Sequence, residues 1–244
     1  MKKKLFCIPY AGASAFTYNN WKKYLDDQFV LIPVELPGRG LRYKDRYYTS
    51  FSEAVNEITE KIIDQVQEEE IYFVFGHSLG CWLAYEVVYN IQMHYRNKMP
   101  AHLFLSGRYS PDYAGSFTVT DDYSAEEIEA MMLEMGGTPE EVFKDEAVRD
   151  MIINSFKNDY MLLMNYRFTS DRNQIECDIS VMNGTLDTYS NIKTCRGWRR
   201  LVSGTCHFIN IAGNHFYVRD NPEDTVCYIC GITKGYLPGG VRYG

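Results

Sequence analysis

The stretch IYFVFGHSLGCWLAYEVV, residues 71–88, decides the fold. Residues 71–75 are all β-branched or aromatic, the composition of a strand. They are apolar on both alternating faces, as when a sheet is covered on both sides. From Leu79 the apolar residues spread into a helical pattern that runs to about residue 96. Between the two lies Gly76-His77-Ser78-Leu79-Gly80. A chain that passes from strand to helix with no loop must turn sharply at Ser78. Glycines two residues before and two after remove side chains that would collide there. The turn lifts the serine hydroxyl into the open, and the helix behind it points a terminus favourable to negative charge at the same spot. Ser78 is therefore a candidate nucleophile, and the backbone N–H of Leu79 a candidate donor to an oxyanion.

Working outward, strands are predicted at 5–9, 29–36 and 103–105 as well as 71–75, with helices at 15–26, 51–69 and 79–96. Phe51, Ala54, Val55, Ile58, Ile62 and Val66 follow helical spacing. Strand and helix alternate, which predicts an α/β fold: a mostly parallel sheet with helices on both faces. The alternation breaks near Asp112. Residues 113–170 carry helix signals and no convincing strand. Ser124-Ala125-Glu126-Glu127 has the form of a capping box, and Thr138-Pro139-Glu140-Glu141 that of a helix start with proline at its first position. The sheet resumes at 178–182 and 206–212, with a helix near 196–201 and a last one from Pro222. The expected division is a core made of 1–112 and 171–244, with a helical insertion, 113–170, over the sheet's edge. The glycine-rich tail, 235–244, is expected to be mobile.

A chain of 244 residues with 45% hydrophobic and 23% charged residues suits one such domain. A formal charge of -7 argues against nucleic acid as a partner. No apolar run is long enough to cross a membrane. The basic start Met1-Lys2-Lys3-Lys4 leads into an apolar stretch cut short by Pro9-Tyr10, a poor leader. Seven scattered cysteines, an odd number, fit reduced thiols in the cytoplasm better than a disulfide framework. Cys227 and Cys230 form a C-x-x-C, but within the last helix, where buried structural thiols are expected rather than a redox or metal site. No metal site is expected.

A serine nucleophile needs a base. His77 is adjacent in sequence, but neighbouring side chains in such a turn diverge, so packing is its expected role. Active groups collect at the carboxyl ends of parallel strands. His102 and His207 lie early in their strands, and His94 late in the helix after Ser78. His215 follows a strand's carboxyl end in Ala212-Gly213-Asn214-His215-Phe216 and is the expected base. Two carboxylates lie at carboxyl ends. Asp187, in Asn183-Gly184-Thr185-Leu186-Asp187, fits the chain order serine, acid, histidine and is favoured; Asp112 is the alternative.

Together these segments resemble the type II, or external, thioesterases of nonribosomal peptide and polyketide synthesis. The resemblance rests on Pro9-Tyr10-Ala11-Gly12-Ala13, Glu35-Leu36-Pro37-Gly38-Arg39-Gly40, Phe75-Gly76-His77-Ser78-Leu79-Gly80, Ser106-Gly107-Arg108, Gly184-Thr185-Leu186-Asp187 and Gly213-Asn214-His215-Phe216. Leu79 stands where the family often has methionine, a change at a position that offers only its N–H. The resemblance implies an α/β-hydrolase fold with a helical lid, a Ser78–Asp187–His215 triad, and a second oxyanion donor at Ala11. It implies as substrate an acyl thioester on the phosphopantetheine arm of a carrier protein, the transient partner of an editing enzyme. No cofactor of its own and a monomeric state are expected. Met131, Met135 and their neighbours in the insertion offer an adaptable acyl pocket. Arg39, with Arg42, Lys44 and Arg46, offers a basic cluster for the phosphopantetheine phosphate or for an acidic carrier protein. A carboxylesterase or lipase, or an acyltransferase, would use the same triad.

Overall fold

A computed structural model describes residues 2–68, 70–113 and 123–236. Six strands form one sheet in the order β2-β1-β3-β4-β5-β6. They are β1 (Lys3–Ile8), β2 (Phe29–Pro33), β3 (Tyr72–His77), β4 (His102–Ser106), β5 (Ile179–Gly184) and β6 (Cys206–Ile211). Every neighbouring pair is parallel, so the carboxyl ends of all six lie along one edge of the sheet.

The period-2 alternation of the strands sorts their side chains into two cores. Phe6, Ile8, Tyr72, Val74, Leu103, Leu105, Ile179 and Val181 face one side. There they meet α1 (Phe51–Ile63) and α2 (Leu79–His94). Leu5, Cys7, Phe73, Phe75, Phe104 and Met182 face the other side. There they meet a 3-10 helix, Ala15–Lys23, through Tyr18 and Trp21, and the last helix through Val226 and Ile229. Strands with both faces packed must read as continuous apolar runs, which is why 71–75 did.

The expected elements are present with shifted ends. β2 stops at Pro33 rather than 36; it is an edge strand, and proline has no N–H for a ladder. α1 ends at Ile63 rather than 69, although Val66 remains buried beyond it. Between β4 and β5 lie α3 (Ala125–Met135) and α4 (Glu146–Asn165). Ser124 and Glu127 form the capping box that the sequence predicts for α3. The second expected start needs correction. Pro139 is the N-cap of a short 3-10 turn, Glu140–Lys144, not the first residue of a helix. The long helix starts later, where the Asp145 carboxylate accepts from Val148 N at 3.1 Å. After β5 come α5 (Ile192–Cys195) and a 3-10 turn, Arg196–Leu201. After β6 come α6 (Tyr217–Asp220), which periodicity did not suggest, and α7 (Pro222–Thr233), with its proline in the first turn. Cys230 is buried on α7, but Cys227 is exposed, against the expectation of two buried thiols. Both are free. Part of the insertion, 114–122, and most of the tail, 237–244, lie outside the described residues. Among the described residues, no helix is long and apolar enough to cross a membrane.

Candidate active site

Ser78 directly follows β3, which ends at His77, and is the N-cap residue of α2. Its backbone has φ 54° and ψ −112°, and it is the one non-glycine residue with positive φ among those described. Such a conformation costs on the order of 1–3 kcal/mol and persists only where the surroundings impose it. Here Ser78 N donates to Ser106 O at 2.9 Å. A Cβ on Gly76 would lie 1.9 Å from the carbonyl oxygen of Gly80, and one on Gly80 would lie 2.2 Å from that of Ile8. The two glycines thus let β3, α2 and β1 close on the serine. Leu79 is the first residue of α2, where a backbone N–H has no partner within the helix.

Two loops bring His215 and Asp187 together because they are stitched to each other. Thr185 N donates to Ile211 O at 2.9 Å, and Leu186 N to Gly213 O at 2.8 Å. A Cβ on Gly184 would lie 2.3 Å from Asn214 O, so only glycine permits this approach. His215 Nδ1 donates to Asp187 Oδ2 at 2.8 Å. The other carboxylate oxygen accepts from Tyr189 N at 2.8 Å and Ser190 N at 3.1 Å, which fixes its orientation. Asp112 is engaged elsewhere, by Arg200 at 2.7 Å.

His77 does not join this pair. Its register partner on β4 is Ser106, and its Nδ1 lies 2.8 Å from Ser106 Oγ. The ring is fully buried, 4.9 Å centroid to centroid from that of His215. Burial, and secondarily the neighbouring His215, hold its pKa well below the ordinary histidine value, so the ring is neutral. It packs behind the base, as the direction of its side chain suggested.

Ser78 and His215 line one cavity with about 330 Å³ of space, together with Tyr10, Ala11, Met132, Met135, Phe156 and Phe216 among others. Met135 is therefore at the site. Met131 is not; it lines a neighbouring cavity of about 250 Å³ with Ile128, Tyr160 and Met161, on the far side of Phe156. Met132, a neighbour of both in the insertion, is at the site as well, whereas the sequence reading missed Tyr10, Phe156 and Phe216 as wall residues. Phe216 was findable beside His215, whereas Phe156 comes from a helix whose placement no local pattern reveals.

The basic cluster is corrected. Arg39 is 3% exposed and makes a two-pronged ion pair with Asp159, Nη1 to Oδ2 at 2.5 Å and Nη2 to Oδ1 at 2.7 Å. It faces inward and offers nothing to a phosphate in solution. Arg42 is held by Asp45 and Glu57, and Arg46 by Glu53. The cluster is largely neutralised by its own carboxylates. No group of three or more potential metal ligands occurs among the described residues.

A model of the thioesterase domain family matches residues 3–231. The gramicidin S biosynthesis protein GrsT of Aneurinibacillus migulanus is 27% identical over 233 residues, covering 94% of this chain and 88% of its own. The crystal structure of ClbQ from the colibactin NRPS/PKS pathway superposes with a TM-score of 0.88 at 28% identity, over 96% of this chain and 98% of that one. The type II thioesterase BorB from the borrelidin biosynthetic cluster superposes with a TM-score of 0.84 at 25% identity, over 95% and 92%.

Proposed function

This chain belongs to the thioesterase domain family, and we propose that it is an editing type II thioesterase. It removes acyl groups from the phosphopantetheine arm of an acyl or peptidyl carrier protein in nonribosomal peptide or polyketide synthesis. The observation that carries this reading is the His215–Asp187 contact at 2.8 Å beside a cavity that His215 shares with Ser78. The pathways named for GrsT, ClbQ and BorB support the choice of substrate. The enzyme works in the cytoplasm as a monomer, with the insertion 113–170 as its lid.

The chemistry follows from the positions. Asp187 accepts a hydrogen bond from the Nδ1–H of His215, which keeps that proton on Nδ1 and leaves Nε2 as the base. His215 takes the hydroxyl proton as Ser78 Oγ bonds to the thioester carbonyl carbon. The oxygen gains negative charge in front of the N–H groups of Leu79 and Ala11. The tetrahedral adduct collapses, the carbon–sulfur bond breaks, and the pantetheine thiol leaves with the proton returned by His215. Water, deprotonated by the same imidazole, then attacks the acyl-serine and frees the acid. The walls supplied by Met132, Met135 and Phe156 are apolar and suited to an acyl chain.

The test is to load several acyl groups onto carrier proteins and follow their release by intact mass, with matched alkyl esters alongside. Carrier-bound thioesters should be cleaved in preference to the esters, and Ser78→Ala should abolish release. Preference for the oxygen esters, or release that survives in Ser78→Ala, would overturn the reading.

A further inference from the structure

The loop that offers Ala11 is not free-standing. Ala13 N donates to Tyr10 O at 3.0 Å and closes a turn around Ala11 and Gly12. Gly12 has φ +76°, and a Cβ there would come within 3.2 Å of Phe156 Cβ. The Gly12 N–H, one peptide beyond Ala11, donates to Asp159 Oδ2 at 2.8 Å. That same oxygen receives Arg39 Nη1, and Arg39 also reaches Ala13 O at 3.4 Å and Pro37 O at 3.3 Å. Asp159 is 1% exposed. It belongs to α4, within the insertion, 147 residues along the chain from Gly12. A carboxylate of the insertion thus grips the loop of the core from which an oxyanion donor comes.

We propose that Asp159 is a positioning residue for catalysis: through the Gly12 N–H and through Arg39 it fixes the peptide that carries the Ala11 N–H, so that the seating of α4 sets the rate of the chemical step. This rests on the reading of Ala11 as an oxyanion donor. Stability alone is a poor account of the pair. A buried ion pair often contributes no more than apolar side chains of the same volume. Its placement has a consequence that an apolar pair could not reproduce, because the Gly12 N–H would lose its acceptor.

The experiment compares the full chain with Asp159→Asn, with the double variant Arg39→Met/Asp159→Leu, and with Ser78→Ala. Asparagine keeps an acceptor oxygen for Gly12. The double variant removes both charges and refills the space, which avoids a lone buried charge. Two quantities are read: kcat and KM on an acyl-N-acetylcysteamine thioester, and the affinity of an alkyl trifluoromethyl ketone, whose adduct with Ser78 places an anionic oxygen between the same donors. The double variant should melt cooperatively, lose kcat on the order of 10²-fold with KM nearly unchanged, and lose ketone affinity in proportion. Asp159→Asn should retain more of both than the double variant. Wild-type kcat and ketone affinity in a folded double variant would overturn the inference. If the double variant does not fold, a lowered melting temperature in Asp159→Asn with ketone affinity unchanged would do the same. Full activity in Ser78→Ala would instead overturn the serine mechanism itself, so the two failures are distinguishable.

Discussion

At the scale of single residues, the site depends on what is kept neutral as much as on what is charged. The ring of His77 lies 4.9 Å, centre to centre, from that of His215, the base in the proposed mechanism, and a second cation there would oppose that role. Burial removes the conflict by holding His77 unprotonated, but it makes folding dependent on pH. In the unfolded chain the ring takes up a proton below about pH 6.5, while the folded state binds none until its much lower pKa is reached. The unfolded state therefore binds more protons in this window, and stability falls as pH drops from about 6.5. One such group contributes at most about 1.4 kcal/mol per pH unit. His77→Asn should flatten the dependence of unfolding free energy between pH 6.5 and 5 by up to about 2 kcal/mol. Denaturant titrations at a series of pH values give the slopes; equal slopes in the two proteins would rule out His77 as the source. That Ser78, His215 and Asp187 come to one edge of the sheet was legible in the sequence because each is placed by a local rule, its position relative to a strand's carboxyl end. The fate of Arg39 was not. Its partner lies 120 residues away on another element, and nothing near Arg39 in the sequence shows that it turns inward.

At the scale of elements, the same division holds. The buried parallel strands and α2 announce themselves through continuous apolar runs, and the capping box of α3 through its own side chains. α4 does not, because its contacts are split between the core, α3 and the site. Its apolar residues point several ways, and the Thr138-Pro139 signal upstream caps only a 3-10 turn. Yet α4 carries the residue that divides the acyl-binding space. Phe156 lines both the cavity with Ser78 and the one with Met131 and Tyr160. Truncating it should join the two. Each methylene of an acyl chain that gains an apolar wall is worth about 0.8 kcal/mol, roughly fourfold in kcat/KM. Phe156→Ala should therefore move the preferred chain length upward across a series of acyl-pantetheine thioesters, at some loss on the shortest. An unmoved optimum would show that Phe156 is not the partition.

At the scale of the whole molecule, the insertion is fastened to the core unevenly, and that sets which part of it can open. α4 is tied by the buried Arg39–Asp159 pair, by Tyr47 Oη against Ser155 Oγ at 3.2 Å, and by Asn158 Nδ2 donating to Tyr48 O at 3.4 Å. Leu162 and Leu163 near its end enter the core beside α1 and α2. Among the described residues, the ion pairs of α3 run instead to Arg149 of α4, from Glu129 at 2.5 Å and Glu126 at 3.5 Å. Just beyond its end, Arg219 of α6 donates to the carbonyls of Gly136 and Gly137 while its guanidinium lies 5.4 Å from the Phe216 ring centre. The weak link between insertion and core is thus at α3, and it sits beside the base. Local opening follows the contacts that must break, so α3 amides should exchange with solvent sooner than those of α4. Arg219→Ala removes the tie at the end of α3 and leaves every α4 contact in place. Hydrogen exchange read by mass should then show faster exchange across 125–135 with 146–165 unchanged, and KM for the acyl thioester should rise as the Met132 and Met135 wall loosens. Equal acceleration of both helices would mean that the insertion moves as one body, and that access to Ser78 is governed by the Asp159 contact.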